Sequence, residues 1–296
     1  MNLLSLLDTL GTVPAVSAAG AAGPASLPAG GRRTLLRAAG QAGGRALAAA
    51  LPLSLLATPA ATAQLTETVL DSLTLLLTLA DLQAALYTRA LDTAGLVPAD
   101  VRADLVLIQT QQRQQATFLR RLFESAGASV PAAPAFDFSG SRNGTGPVLF
   151  AGVFASFSDF LQLAQPLADA AARSYLGQLA TLRTNAQLLG AVLRRQAVEA
   201  RQAAHLRTLR RNLGSGPTPK SWPSLTDPAA PAVLAAIQAG EDNLNQAVPG
   251  TAAGSLRYIN FNALFTSSSV QTTALAEAFD EPLSTADAAA LLALFR

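Results

Sequence analysis

Two short stretches, Gln112-Arg113-Gln114-Gln115 and Glu199-Ala200-Arg201-Gln202, each set a pair of polar side chains three residues apart. On a helix, residues at that spacing share a face. In a four-helix bundle that binds two metal ions, both places hold Glu-x-x-His, and each of the other two helices adds a Glu. Here one glutamate survives and no histidine does. Carboxylates neutralise the charge of a metal pair and imidazoles complete its shell. Glutamine supplies neither, so the frame of a metal site is present with its ligands mostly gone.

The composition fits a helical scaffold. Half of the 296 residues are hydrophobic and 5% are aromatic, and alanine and leucine, which dominate, favour helix. Charged residues make up 14%, below the roughly 25% of an ordinary soluble domain, so much of the polar surface must come from Gln, Thr, Ser and Asn. The formal charge of +2 hides an asymmetry. Residues 1–63 carry four arginines and one acid, and the remainder carries 17 basic and 18 acidic residues. The body therefore has no electrostatic footprint for nucleic acid. The absence of cysteine excludes disulfides, Cys-ligated zinc, iron–sulfur clusters and thiol catalysis. One histidine, His205, leaves imidazole chemistry little to use. There is no Gly-x-Ser-x-Gly elbow, P-loop or dinucleotide fingerprint.

Residues 1–63 read as a leader. Gly31-Arg32-Arg33-Thr34-Leu35-Leu36-Arg37 resembles a twin-arginine export signal, and an apolar run follows from Ala46 to Ala57. Ala61-Thr62-Ala63 is a small-x-small cleavage pattern, with Gln64 as the expected new N-terminus. The apolar run is shorter than the ~20 residues of a transmembrane helix, so the mature chain is expected to have no integral span. The expected destination is the periplasm or the cell exterior. Met1 to Leu10 reads as a short amphipathic helix ahead of the arginines.

Positioning the two stretches requires helices, and the apolar spacing provides them. Val69, Leu73, Leu76, Leu77, Leu79, Leu82 and Leu86 recur at helical intervals, predicting a first helix over about 65–91. Gly95 and Pro98 break it. A second helix is expected over 99–126, ended by Gly127, with Asp100 and Asp104 in its first turns, where acids suit the helix dipole. Residues 127–149 read as a long crossover loop. A third helix is expected over 149–176, with Pro166 a candidate kink, and a fourth over 185–213, stopped by Gly214-Ser215-Gly216-Pro217. The tail predicts helical pieces over 229–248 and 272–295, with Ser284 and Asp287 as a capped start. No alternating run is long enough to predict a sheet. The organisation is thus a leader (1–63), a four-helix bundle (64–214) and a helical C-terminal extension (215–296), all-α throughout.

From about residue 65 onward the chain resembles the exported ferritin-like domain proteins of bacteria, relatives of the plant desiccation-related proteins. The matching pieces are Leu77-Thr78-Leu79 with Tyr87, Thr117-Phe118-Leu119, Phe136-Asp137-Phe138 and Arg173-Ser174-Tyr175 with Gly177-Gln178. Further on come Val198-Glu199-Ala200-Arg201, Ala239-Gly240-Glu241-Asp242-Asn243 and Phe279-Asp280-Glu281-Pro282-Leu283. The resemblance implies a ferritin-like four-helix bundle with a long crossover between its second and third helices. It also implies six metal-ligand positions, which fall on Ala80, Gln112, Gln115, Ala168, Glu199 and Gln202, five of them replaced. Ala80 and Ala168 each stand seven residues before a tyrosine, Tyr87 and Tyr175, so the two half-bundles repeat one another.

Glu199 reads either as the last ligand of a weakened metal site or as a buried carboxylate paired with an arginine, Arg113 and Arg201 being the candidates. The second is preferred, because one carboxylate cannot hold a transition metal against water. Gln83, Gln112, Gln115 and Gln202 read either as a hydrogen-bonded network in the old cavity or as solvent-facing amides. Tyr87 and Tyr175 are expected in the core, His205 and the arginines of the fourth helix at the surface, and Trp222 over one end of the bundle. No cofactor is expected and the module is expected to be non-catalytic, structural or ligand-binding, and stress-related by the resemblance. The alternative is an iron or manganese oxidase or peroxide-consuming enzyme in which Asp81, Asp169 and Glu199 converge. An emptied core able to take an apolar ligand is a third reading, and a homo-oligomer is left open.

Overall fold

The computed structural model describes residues 65–183, 185–214, 219–228, 232–249, 256–260, 263 and 272–296. All belong to the second of two units into which the chain divides, Ala63–Arg296. The leader features, Arg32, Arg33, Ala61, Ala63 and the Met1–Leu10 segment, lie outside the described residues.

Four long helices carry the architecture: α1 (Glu67–Asp92), α2 (Arg102–Ser125), α3 (Phe157–Gly177) and α5 (Ala186–Asn212), with a one-turn α4 (Leu179–Leu182) before the last. Side chains that accept from the open N–H groups of the first turn start three of them. The Thr66 hydroxyl takes Val69 N–H at 3.4 Å, Ser156 takes Asp159 N–H at 3.1 Å, and Asn185 Oδ1 takes the N–H groups of Gln187 and Leu188 at 3.1 and 3.0 Å. Pro166 sits within α3 without ending it.

The helices pack as antiparallel pairs, α1 with α2 and α3 with α5, and the pairs meet mainly through α1 and α3. Leu73, Leu76, Leu82, Leu86, Leu105, Leu119, Phe160 and Leu167 fill the middle. Tyr87 meets Phe160 edge-on, with ring centres 6.0 Å apart. By length and composition α1 could cross a membrane, but most of its apolar window is buried in the bundle, which is where a core helix gains its stability.

Residues 126–156 connect α2 to α3 without a helix of their own. The third helix therefore starts at Phe157 rather than near 149, because residues 149–156 are committed to the crossover. The Leu149 and Phe150 N–H groups both donate to the Ser139 carbonyl, at 2.8 and 2.9 Å. Within this loop the Asp137 carboxylate collects the N–H groups of Ser139, Ser141 and Asn143 and both serine hydroxyls. The crossover is fastened to the chain terminus: Asp137 N–H donates to Phe295 O at 2.9 Å, and Phe150 stacks on Phe295 with centres 5.9 Å apart.

The tail differs most from the expected helices. Among the described residues of 229–248 there are a 3₁₀ turn (Ala232–Leu234) and the one-turn α6 (Ala235–Gln238), and then strand β1 (Asn245–Pro249) pairs antiparallel with β2 (Leu256–Asn260). An all-α extension is thus corrected to one containing a hairpin. It is too short and too irregular in alternation to show as a period-2 run. The last expected helix divides into α7 (Thr272–Ala276) and α8 (Thr285–Leu292), followed by a 3₁₀ turn, Ala293–Phe295. Pro282 disfavours a helical residue before it, and Ser284 restarts the helix by accepting Asp287 N–H at 3.1 Å.

Candidate functional site

The side chains at the centre of the bundle come from all four long helices. Ala80, Gln83 and Tyr87 lie on one face of α1, and Gln112 and Gln115 on one face of α2. Ala168 and Tyr175 share a face of α3, and Glu199 and Gln202 a face of α5; all nine are buried. Gln112 Nε2 donates to both Glu199 oxygens, at 3.1 and 3.0 Å, and to Gln202 Oε1 at 2.8 Å. Gln83 Nε2 reaches Glu199 Oε2 at 3.4 Å. Gln115 Nε2 donates to the Tyr175 hydroxyl at 2.8 Å, and Gln202 Nε2 to Gln111 Oε1 at 2.7 Å. The amides thus form a cross-helix network around the single carboxylate.

The ionic partner of Glu199 is neither Arg113 nor Arg201, both of which are exposed; Arg113 bonds Thr88 instead, at 3.2 Å. It is Arg195, whose Nη2 is paired with Glu199 Oε1. Four residues apart on α5, the two lie one above the other. An arginine one turn before the surviving glutamate was the signal available in the sequence. Its Nη1 points to the Gln111 carbonyl at 3.5 Å, and its charge and hydrogen bonding also bear on the Tyr175 hydroxyl. Burial pushes both Tyr87 and Tyr175 above the ordinary phenol range, and the negative charge of Glu199 adds to the rise. Neither phenol is set up to ionise.

The convergence of Asp81, Asp169 and Glu199 does not occur. Each carboxylate has its own arginine on another face or another turn. Asp81 accepts from Arg120 Nη2 at 2.9 and 2.7 Å. Asp169 accepts from Arg207 Nε at 2.9 Å and Nη2 at 2.7 Å. Residues adjacent on a helix point about 100° apart, so Asp81 and Asp169 leave the face that Ala80 and Ala168 occupy. Among the described residues no three His, Cys, Asp or Glu side chains are grouped to hold a metal ion.

His205 pairs with Asp104 of α2 at 3.1 Å on the bundle's outside. Trp222 is half exposed, and its Nε1 donates to Glu277 Oε2 at 3.0 Å. Two cavities, of about 130 and 40 Å³, lie beside Asp169 and Arg207 against the tail, and neither is lined by Ala80 or Ala168.

The tail is held by Arg173. Its Nε donates to Glu281 O at 2.5 Å, Nη2 to Ala239 O at 2.7 Å, and Nη1 to Ile237 O. Its own carbonyl accepts Leu283 N–H at 3.0 Å, and Glu241 is ion-paired with it at 3.1 Å. Burial raises the Glu241 carboxyl to about 7 against the pull of Arg173, and raises Asp280 to about 6.

Residues 68–212 match the model of the ferritin-like domain family. This stretch is a ferritin-like domain. No curated protein and no solved structure matches the chain. The di-metal centre implied by the fold does not fit the residues present. Of the six positions that the resemblance assigns to metal ligands, one carries a carboxylate, and that carboxylate is already bonded to two amides and a guanidinium. The arrangement can hold four helices in register, but it cannot supply the charge a metal pair requires.

Proposed function

We propose that this chain is a non-catalytic ferritin-like module of the cell envelope, exported through its twin-arginine leader and serving a structural, stress-related or ligand-binding role. The observation that carries the reading is the state of Glu199: its oxygens are taken by Gln83, Gln112 and Arg195. A redox-active relative needs several carboxylates and imidazoles open to metal. Here the centre is closed by the chain's own side chains, and the two tyrosines beside it are core residues with hydroxyls held protonated by burial.

The test is elemental analysis of the purified chain after incubation with Fe(II) and Mn(II) and desalting. The reading expects no stoichiometric metal; two tightly held metals per chain would overturn it. Export is tested separately by fusing residues 1–63 to a reporter. Transport should be lost on replacing Arg32 and Arg33 by lysine, and continued export of that variant would rule out the twin-arginine route.

A further inference from the structure

The centre of a ferritin-like domain normally depends on cations to hold together acidic side chains from four helices. This domain has kept one acid, and the charge facing it is the chain's own. We infer that Arg195 is a built-in cation: its guanidinium takes the place of the metal at Glu199, ties the helices together, and closes the centre to divalent ions. The inference rests on the reading of the centre as free of metal.

Three observations support it. The first is position. Arg195 is partly buried, with its side chain 10% exposed, and it pairs with a glutamate that is 1% exposed. A buried carboxylate without a counter-charge is strongly disfavoured. The second is reach. Through Glu199 the guanidinium is linked to Gln83 of α1 and Gln112 of α2, and directly to the Gln111 carbonyl of α2. One side chain of α5 therefore connects that helix with α1 and α2, as a bridging metal would. The third is charge balance. One guanidinium and one carboxylate leave the centre neutral, and a divalent ion entering it would put two uncompensated charges into a low-dielectric interior.

The centre also holds oxygen atoms that nothing else uses. Gln83 Oε1, Gln112 Oε1 and the Tyr87 hydroxyl are buried without hydrogen-bond partners. Oxygen atoms of this kind, together with a carboxylate, are donors that suit a hard cation such as Mg²⁺ or Mn²⁺. Arg195 occupies the one carboxylate that such a cation would need. Removing it should leave Glu199 unpaired and expose a weak site for a hard cation.

The experiment is thermal unfolding of the full chain, chelator-treated, with and without millimolar MnCl₂ or MgCl₂, for wild type, R195A, E199Q and the double variant R195A/E199Q. R195A should melt on the order of 10 °C lower than wild type, because one member of a buried pair is left alone. Mn²⁺ or Mg²⁺ should restore part of that loss. The double variant should melt above R195A and ignore both ions, as should wild type. If R195A does not fold, the double variant decides: a folded double variant supports the charge pairing and an unfolded one overturns it. An R195A protein that melts with wild type and is indifferent to both ions overturns the inference and leaves the metal-free reading intact. Two metals per chain retained by the wild type overturns that reading itself.

Discussion

Asp169 of α3 and Arg207 of α5 meet through two parallel hydrogen bonds, Nε to Oδ1 at 2.9 Å and Nη2 to Oδ2 at 2.7 Å. The third nitrogen of Arg207 reaches beyond the bundle, to the Trp222 carbonyl at 3.1 Å and to Asp227. One arginine therefore joins the α3–α5 pair to the tail. Burial pushes Asp169 above the ordinary carboxylate range while Arg207 opposes the shift. Removing one partner leaves the other charge buried, at a cost of roughly 3–5 kcal/mol. D169N and R207M should each lower the urea midpoint strongly, and D169N/R207M should be less destabilised than their sum. Additive losses would mean that the pair is not coupled.

Glu241 makes the attachment of the tail sensitive to pH. Facing it are Arg173, Asp280 and Glu281. Its carboxyl titrates near 7 in the folded chain and near 4.3 when unfolded. A folded-state value above the unfolded one gives stability that is complete below the unfolded value and is lost as pH rises through the folded one. The melting temperature should therefore fall by a few degrees between pH 5 and pH 8. E241Q, which cannot ionise, should flatten that slope. An unchanged slope in E241Q would assign the effect to Asp280, raised to about 6 in the same neighbourhood.

Gly177 ends α3 against the backbone of the tail, and a Cβ there would collide with the Leu283 carbonyl oxygen. Backbone cannot swing aside as a flexible side chain can. G177A should cost roughly 1–3 kcal/mol or more by overpacking. The loss should be local: limited proteolysis should cut residues 239–283 faster while α1 and α2 keep their protection.

Asp137 organises the crossover by accepting from five donors. Hydrogen bonds from Ser139 and Ser141 hold its carboxyl far below the usual carboxylate range. Such a group contributes stability above its unfolded pKa that is lost on acidification. D137A should speed amide exchange at Ser139, Ser141 and Asn143 at neutral pH, and D137N should do so less. Exchange unchanged in D137A would show that the loop is held by Phe138 and its aromatic neighbours instead.

Gly140, in the same loop, has φ +70° and would place a Cβ 2.7 Å from the Phe150 ring. Both the left-handed backbone and the ring contact oppose any side chain. G140A should lower the melting temperature and weaken the Phe150–Phe295 stack, read as a loss of near-ultraviolet dichroism.

The sequence by itself determined the four long helices and the face that carries the candidate site. Apolar residues at helical spacing, Gly and Pro breakers, and polar side chains three apart are local signals, and local geometry alone relates them. It also determined that Ala80, Gln112, Gln115, Ala168 and Gln202 carry no charge with which to hold a metal pair, because residue type settles that without any fold. The tertiary structure decided the rest. Arg113, Arg195 and Arg201 all lie near Gln112 or Glu199 in sequence, yet only the packing of α2 and α5 against their neighbours turns Arg195 inward and leaves the other two at the surface. Asp81 and Asp169 were separated from Glu199 in the same way, one residue's rotation carrying each to a different arginine. The tail's hairpin depends on cross-strand backbone pairing, and the Arg173 side chain meets the Ala239 and Glu281 carbonyls across 66 and 108 positions of chain. No periodicity records them, because each partner satisfies its hydrogen bonds only with residues that the chain brings together on folding.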